Sequence, residues 1–206
     1  MLENDSVSPT LAERRAEATR EGVIEAAWTL SRSLGLTGWS MRELAKAVGI
    51  KAPTLYAYFD SKDAIYDAMF RQSYEQKGSS GDAEPYLAAH GERDAFKLAA
   101  HDFFDFCTDD PTRYQLMFQR TIPGFEPSEQ AYAASQRSYE RFAQQLAAVG
   151  VADQAHLDLW TAMISGLTAQ QISNDPTGDR WRALVDTAVD LFCDHVGIPP
   201  TGDQNP

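Results

Sequence analysis

Between Ser40 and Lys62 the chain reads SMRELAKAVGIKAPTLYAYFDSK, and the order of its stop, start and apolar signals leaves few folds open. Ser40 and Glu43 have the S-x-x-E spacing of a capping box, in which each side chain satisfies a backbone N–H at a helix start. Met41, Leu44, Ala45 and Val48 recur at i, i+3, i+4 and i+7, one apolar stripe of a helix. Gly49 follows, where a left-handed backbone costs least, and Ile50 is placed to pack back under the turn. Pro53 suits the first turn of a second helix, because its missing N–H has no helical partner there. Leu55 and Phe59 then share a buried face by i, i+4 spacing. Ser61 caps one more helix, whose stripe Ala64, Ile65, Ala68 and Met69 closes the unit. Two short helices around a glycine, backed by others, are a helix-turn-helix, the second helix of which enters the major groove of DNA.

The outer face of that second helix carries the chemistry. At about 100° per residue it centres on Pro53, Thr54 and Ala57, with Tyr56 and Tyr58 on the flanks. Small residues at the centre let the backbone come close to base edges. Thr54 offers a hydroxyl and a methyl, while Pro53 and Ala57 match a thymine methyl. Tyr56, Tyr58, Arg42, Lys51 and Lys62 are the candidate phosphate partners, which set register rather than read sequence. Ser40, at the start of the preceding helix, completes the candidate DNA-contacting set.

The runs VIEAAWTLSRSLGLTGWSMRELAKAVGI and KAPTLYAYFDSKDAIYDAM resemble the TetR family of bacterial transcriptional regulators, over Thr19 to Met69. The resemblance implies an all-α fold of about nine helices, with a three-helix DNA-binding domain followed by a larger helical domain for ligand binding and dimerisation. Ala57 departs from many members, which carry a histidine or bulky aromatic on this outer face. The docking mode is therefore carried over, but not the preferred bases.

Charge is unevenly placed. The chain has 206 residues and a formal net charge of −12, yet residues 1–77 hold 10 Lys and Arg against 11 Asp and Glu, and residues 78–206 hold 8 against 19. An acidic body weakens non-specific DNA binding by repulsion. Arg14, Arg15, Arg42, Lys46, Lys51 and Lys62 nevertheless cluster near the proposed DNA face. A hydrophobic content of 43% suffices for a core, and no stretch reaches a membrane span. No basic and apolar leader is apparent, and Cys107 and Cys193 read as small buried hydrophobes in a reducing compartment. A cytoplasmic protein that contacts no membrane is expected.

Helical patterning continues along the whole chain. Residues 1–9 read as a disordered arm, and a Thr10 to Glu13 capping box opens helix 1, with Val23, Ala27, Leu30 and Leu34 on one side until Gly35 and Gly38 break it. The DNA-binding domain is set at residues 1–62, with a helix over 62–77 as connector and residues 78–206 as the second domain. The run KGSSGDAEP reads as a hinge. Beyond it come an aromatic-rich helix over 92–108 (Phe96, Ala99, Ala100, Phe103, Phe104, Cys107) and a short helix opened by Asp110-Pro111 and reaching Arg120. A TIPGFEP loop precedes a helix from the Ser128 cap to Ala148. Two more helices run from Asp153 to Ser173 and over 179–196, and the tail from Pro199 reads as disordered.

The last two helices show three-and-four spacing at Leu157, Trp160, Ile164, Leu167 and Gln171, and at Trp181, Leu184, Val185, Ala188, Leu191, Phe192 and His195. Small residues at 162, 165, 166 and 169 permit close helix approach. The pattern fits either packing inside the protomer or a two-fold four-helix homodimer interface through Leu157, Ile164, Leu167, Trp181, Leu184, Val185, Ala188, Leu191 and Phe192. A dimer also suits a reader of two half-sites about 34 Å apart on a double-stranded operator.

Family resemblance further implies a cavity for a small, partly apolar effector. Candidate lining residues are Phe103, Phe104, Tyr114, Met117, Phe118, Tyr139, Phe142, Trp160 and Met163, with Gln119, Gln170 and Gln171 as polar contributors. Enzyme motifs are missing: no G-x-S-x-G, no Walker A loop and no G-x-G-x-x-G. His101 and Asp105 share a helix face while His90 and His156 lie elsewhere, which is not a metal-ligand pattern, and no cofactor is expected. The reading is a ligand-responsive repressor of transcription, with a binding module that retains the fold but not the DNA contact as the rival.

Overall fold

A computed structural model describes residues 10–78 and 92–200. Its nine α-helices are α1 (Leu11–Leu34), α2 (Met41–Val48), α3 (Ala52–Tyr56), α4 (Lys62–Gly78), α5 (Glu92–Asp109), α6 (Pro111–Phe118), α7 (Glu129–Ala148), α8 (Gln154–Asn174) and α9 (Val185–Val196). A 3-10 turn over Arg182–Leu184 leads into α9, and no strand occurs among the described residues. The N-terminal arm, all of the expected hinge beyond Gly78, His90 and the tail beyond Pro200 lie outside those residues.

Local signals act where they were read. Thr10, Ser40, Asp110, Ser128 and Asp153 all cap helices with their side chains, and Thr10 and Ser40 form complete capping boxes. The boundaries shift at three ends. α3 stops at Tyr56, so Ala57 and Tyr58 belong to the turn that follows, and α6 stops at Phe118 instead of Arg120. The last helix begins with 3-10 geometry, its α-helical part starting only at Val185.

The first core packs α1 to α4. Val23, Ala27, Leu44, Leu55, Ile65 and Met69 are fully buried in it, with Trp28, Trp39, Phe59 and Phe70 around them. Leu34, expected on the core side of α1, is half exposed in the helix's last turn. The chain then crosses to α2 through a pinned loop. The Trp39 indole N–H donates to buried Ser31 at 2.8 Å, and the Tyr66 hydroxyl donates to the Leu36 carbonyl. Glycine is required at position 38, where a Cβ would fall 2.0 Å from the Leu34 carbonyl oxygen.

A second core joins α5, α8 and α9 through three mutually contacting rings. Phe96 to Trp160 is 5.2 Å, Trp160 to Phe192 is 5.0 Å and Phe96 to Phe192 is 6.1 Å. Such pairs contribute about 0.5–1.5 kcal/mol each beyond area burial. Along the α5–α9 seam runs an antiparallel ladder with a four-residue step: Arg93 to Asp194 at 2.6 Å, Lys97 to Asp190 at 2.9 Å, His101 to Asp186 at 2.8 Å and Arg182 to Asp105 at 2.8 Å. Cys107 and Cys193 are buried free thiols, and burial pushes Cys193 up to about 11.

The two cores are not separated at the residues where composition divides the chain. Leu116 of α6 and Ala131 of α7 belong to the first cluster, with Ile122 and Phe125 packed on it. Two polar ties reinforce this contact. Arg32 of α1 reaches Asp110, the N-cap of α6, through Nε at 3.1 Å and Nη2 at 2.8 Å. Asp67 of α4 accepts from the Ser128 backbone N–H and hydroxyl, each at 2.6 Å.

Candidate DNA-contacting face and effector cavity

The turn between α2 and α3 holds its shape through backbone alone. Gly49 adopts φ 79°, its N–H bonds back to α2, and the Ile50 N–H reaches the Ala45 carbonyl at 3.0 Å. α3 is then anchored by Leu55, fully buried, and by Phe59 just beyond it. With that side fixed, the opposite side is turned outward: Pro53, Thr54, Tyr56 and Ala57 are all exposed. Tyr58 is half-buried and packs on the first core, with the Arg20 guanidinium 5.7 Å from its ring.

Around this face, Arg42, Lys46 and Lys51 are exposed and form no ion pair among the described residues. Ser40 is exposed too, but its hydroxyl accepts from the Glu43 N–H and donates to the Glu43 carboxylate at 2.7 Å. These contacts hold the Glu43 carboxyl below its ordinary value. Lys62 departs from its expected phosphate role. Its ammonium donates to the carbonyls of Trp39 at 2.7 Å and Thr37 at 3.1 Å, and sits 4.2 Å from the centre of the Trp39 ring. Burial lowers its pKa. Sequence alone counts Lys62 as one more cation because the loop carbonyls it satisfies become neighbours only through the fold.

The second site is a cavity of about 860 Å³ among α4 to α8. Phe103, Met117, Phe118, Tyr139, Phe142 and Trp160 line it as expected, and so does Gln119. Phe104, Tyr114 and Met163 do not. Phe104 is 1% exposed inside the second core, Tyr114 turns its hydroxyl to the Ser165 carbonyl at 3.4 Å, and Met163 packs on the second core. Gln170 is also outside the cavity. Gln171 instead organises the turn before α9: its amide donates to the Asp175 and Gly178 carbonyls and accepts from the N–H groups of Trp181 and Arg182. Sequence reading missed Phe70 and Tyr74 of α4, Phe106, Phe125 and the α7 face bearing Ser135, Ser138 and Gln145. Helical spacing from Ser135 to Ser138, Phe142 and Gln145 was the available signal.

The helices proposed for self-association show two faces each. Leu157, Ile164, Val185 and Phe192 are buried in their own protomer's core, a correction to their expected place at a dimer interface. Leu167, Trp181 and Ala188 are half-buried, while Leu184 and Leu191 remain exposed, the latter at 66%. On α8 the outward positions are Leu159, Ala162 and Gly166. Spacing of three and four reveals a stripe but not which neighbour covers it.

No group of three or more potential metal ligands occurs among the described residues, and His101 lies in the α5–α9 ladder. No helix among them is long and apolar enough to cross a membrane.

Residues 23–69 match the bacterial regulatory proteins of the tetR family. The match covers 47 of the chain's 206 residues, the helix-turn-helix region. Tetracycline repressor protein class D from Escherichia coli is 43% identical over 54 residues, which are 26% of this chain and 25% of that repressor. The chain thus aligns with only about a quarter of that relative's length. Whole-chain likeness is to folds. A protein with unknown function from Rhodococcus sp. superposes with a TM-score of 0.72 at 17% identity, covering 94% of this chain and 99% of that one. The transcriptional regulator FadR from Bacillus subtilis, solved in complex with stearoyl-CoA, gives 0.62 at 16% identity, covering 87% and 99%. The chain therefore shares the fold of these solved structures over nearly its full length, and its match to the tetR family model lies in the helix-turn-helix region.

Proposed function

We propose that this protein regulates transcription by binding a palindromic DNA operator as a homodimer, and that a small molecule in the α4–α8 cavity releases it. The observation that carries the reading is the outward face of α3. Leu55 and Phe59 hold one side in the core, and Thr54, Tyr56 and Ala57 stand free on the other with Arg42 and Lys51 nearby. Thr54 and Ala57 are the base-reading candidates, and Arg42, Lys51 and Tyr56 the phosphate-positioning ones. Tyr58 contributes from its half-buried flank.

Self-association is supported by the second faces of α8 and α9. Leu159, Ala162 and Gly166 present small and apolar groups at three-and-four spacing, and Leu184, Ala188 and Leu191 do the same. An isologous four-helix contact buries both sets.

Coupling between effector and operator follows from shared walls. Phe70, Leu116, Ile122 and Phe125 line the cavity and also pack in or on the first core. A ligand that moves these side chains moves α4 and α6 directly, and through them the spacing of the two recognition helices. Operator and ligand then prefer different members of one ensemble.

The deciding experiment is selection from a random DNA pool with the purified protein at moderate salt. Enrichment of an inverted repeat, with half-sites about one helical turn or more apart, is expected. Folded, dimeric protein that enriches nothing would refute the operator reading.

A further inference from the structure

The reading of the α4–α8 cavity as an effector site leaves the chemistry of the effector open, and the wall narrows it. Ten of its thirty lining residues are Phe, Tyr or Trp, against 11% in the whole chain, while Leu, Ile and Met together supply four. Four of the rings form a connected run. Phe118 meets Phe103 at 5.6 Å and Tyr74 at 6.1 Å, both edge-on, and Tyr74 meets Phe70 at 5.0 Å. Such a wall rewards flat π-systems, which stack or meet it edge-on, more than a flexible alkyl chain.

The charged lining residues Asp102, Arg120, Glu126, Glu140 and Arg141 are all exposed, as are the rings of Phe118, Tyr132 and Tyr139, and Arg120 already pairs with Glu126 at 3.6 Å. A charge buried deeper would have no counter-ion among the described lining residues, at high desolvation cost. Lining hydroxyls are mostly engaged: Tyr74 donates to the Met117 carbonyl, Ser135 to Tyr132 and Thr161 to Leu157. Ser138 and Gln145 differ. Both are half-buried on the cavity face of α7, and their side chains, like that of Ser165 on α8, make no hydrogen bond to another described residue. They are two helical turns, about 10 Å, apart.

We infer that the effector is an uncharged, planar aromatic compound bearing hydroxyl or carbonyl groups toward both ends, its rings against the Phe118 wall and its oxygens on Ser138 and Gln145. An acyl chain such as the one in the FadR complex is the contrasting class.

Calorimetric titration of the full chain tests this with two neutral planar polyphenols (apigenin and resveratrol), the planar cation berberine, and palmitate and palmitoyl-CoA. Micromolar binding of at least one polyphenol, at least tenfold tighter than berberine and both acyl probes, is expected. Gln145→Leu is expected to weaken that polyphenol at least fivefold while leaving the melting temperature and the binding of unsubstituted trans-stilbene unchanged. Preference for palmitate or palmitoyl-CoA would overturn the aromatic class and leave the effector cavity standing. Preference for berberine would overturn the requirement for neutrality, and so the inference as stated. Failure of every probe would overturn both the class and the cavity reading.

Discussion

Asp110 is 7% exposed and has two tasks that substitution can separate. Its Oδ1 accepts from the Arg113 backbone N–H at 3.1 Å and so caps α6, while its Oδ2 receives Arg32 from α1. Losing an N-cap costs about 1 kcal/mol. A buried charge-assisted hydrogen bond is worth roughly 1.5–3 kcal/mol, but Arg32 is 43% exposed and recovers water when released, which reduces this to about 1 kcal/mol. Asp110→Ala should therefore lower the unfolding free energy by about 2 kcal/mol in urea titration. Asp110→Asn keeps a capping oxygen and loses the charge, so about 1 kcal/mol is expected. A double-mutant cycle of Asp110→Asn with Arg32→Ala should return a coupling of about 1 kcal/mol. Because this tie joins α1 to a helix lining the cavity, Asp110→Asn is also expected to shrink the ligand-induced loss of operator affinity. Equal costs for the Ala and Asn variants, with a coupling near zero, would refute the two-task account.

Three further outcomes are expected. Lys51→Met should reduce the slope of log affinity against log salt by about 0.9, whereas Lys62→Met should leave the slope unchanged and lower thermal stability, since its ammonium serves the Thr37 and Trp39 carbonyls. Leu191→Glu, at a position 66% exposed, should convert a dimer to a monomer by light scattering without lowering helix content. Arg182 holds the Asp105 carboxyl below its ordinary value of 3.8, so the stability it contributes is present above that value and is lost as pH falls through the lowered one. Arg182→Ala should flatten the acid dependence of the melting temperature in that window.

What the sequence determined by itself is local: where helices begin and end, and which side of a short helix is apolar. The Thr10 and Ser40 capping boxes, the Gly49 turn and the Leu55–Phe59 pair need only neighbours within a turn or two, and all stand where the spacing put them. The helix-turn-helix and its outward residues were therefore legible in advance. Tertiary structure alone decided what depends on a distant partner. Lys62 became an internal tether because the Trp39 loop folds against it, and Gln171 became the anchor of a turn instead of a cavity group. Leu157, Ile164, Val185 and Phe192 went to the core, and Leu159 and Leu191 to the outer face, because a helix buries whichever stripe its neighbours reach. Periodicity records that a stripe exists; the position of the other helices assigns its partner.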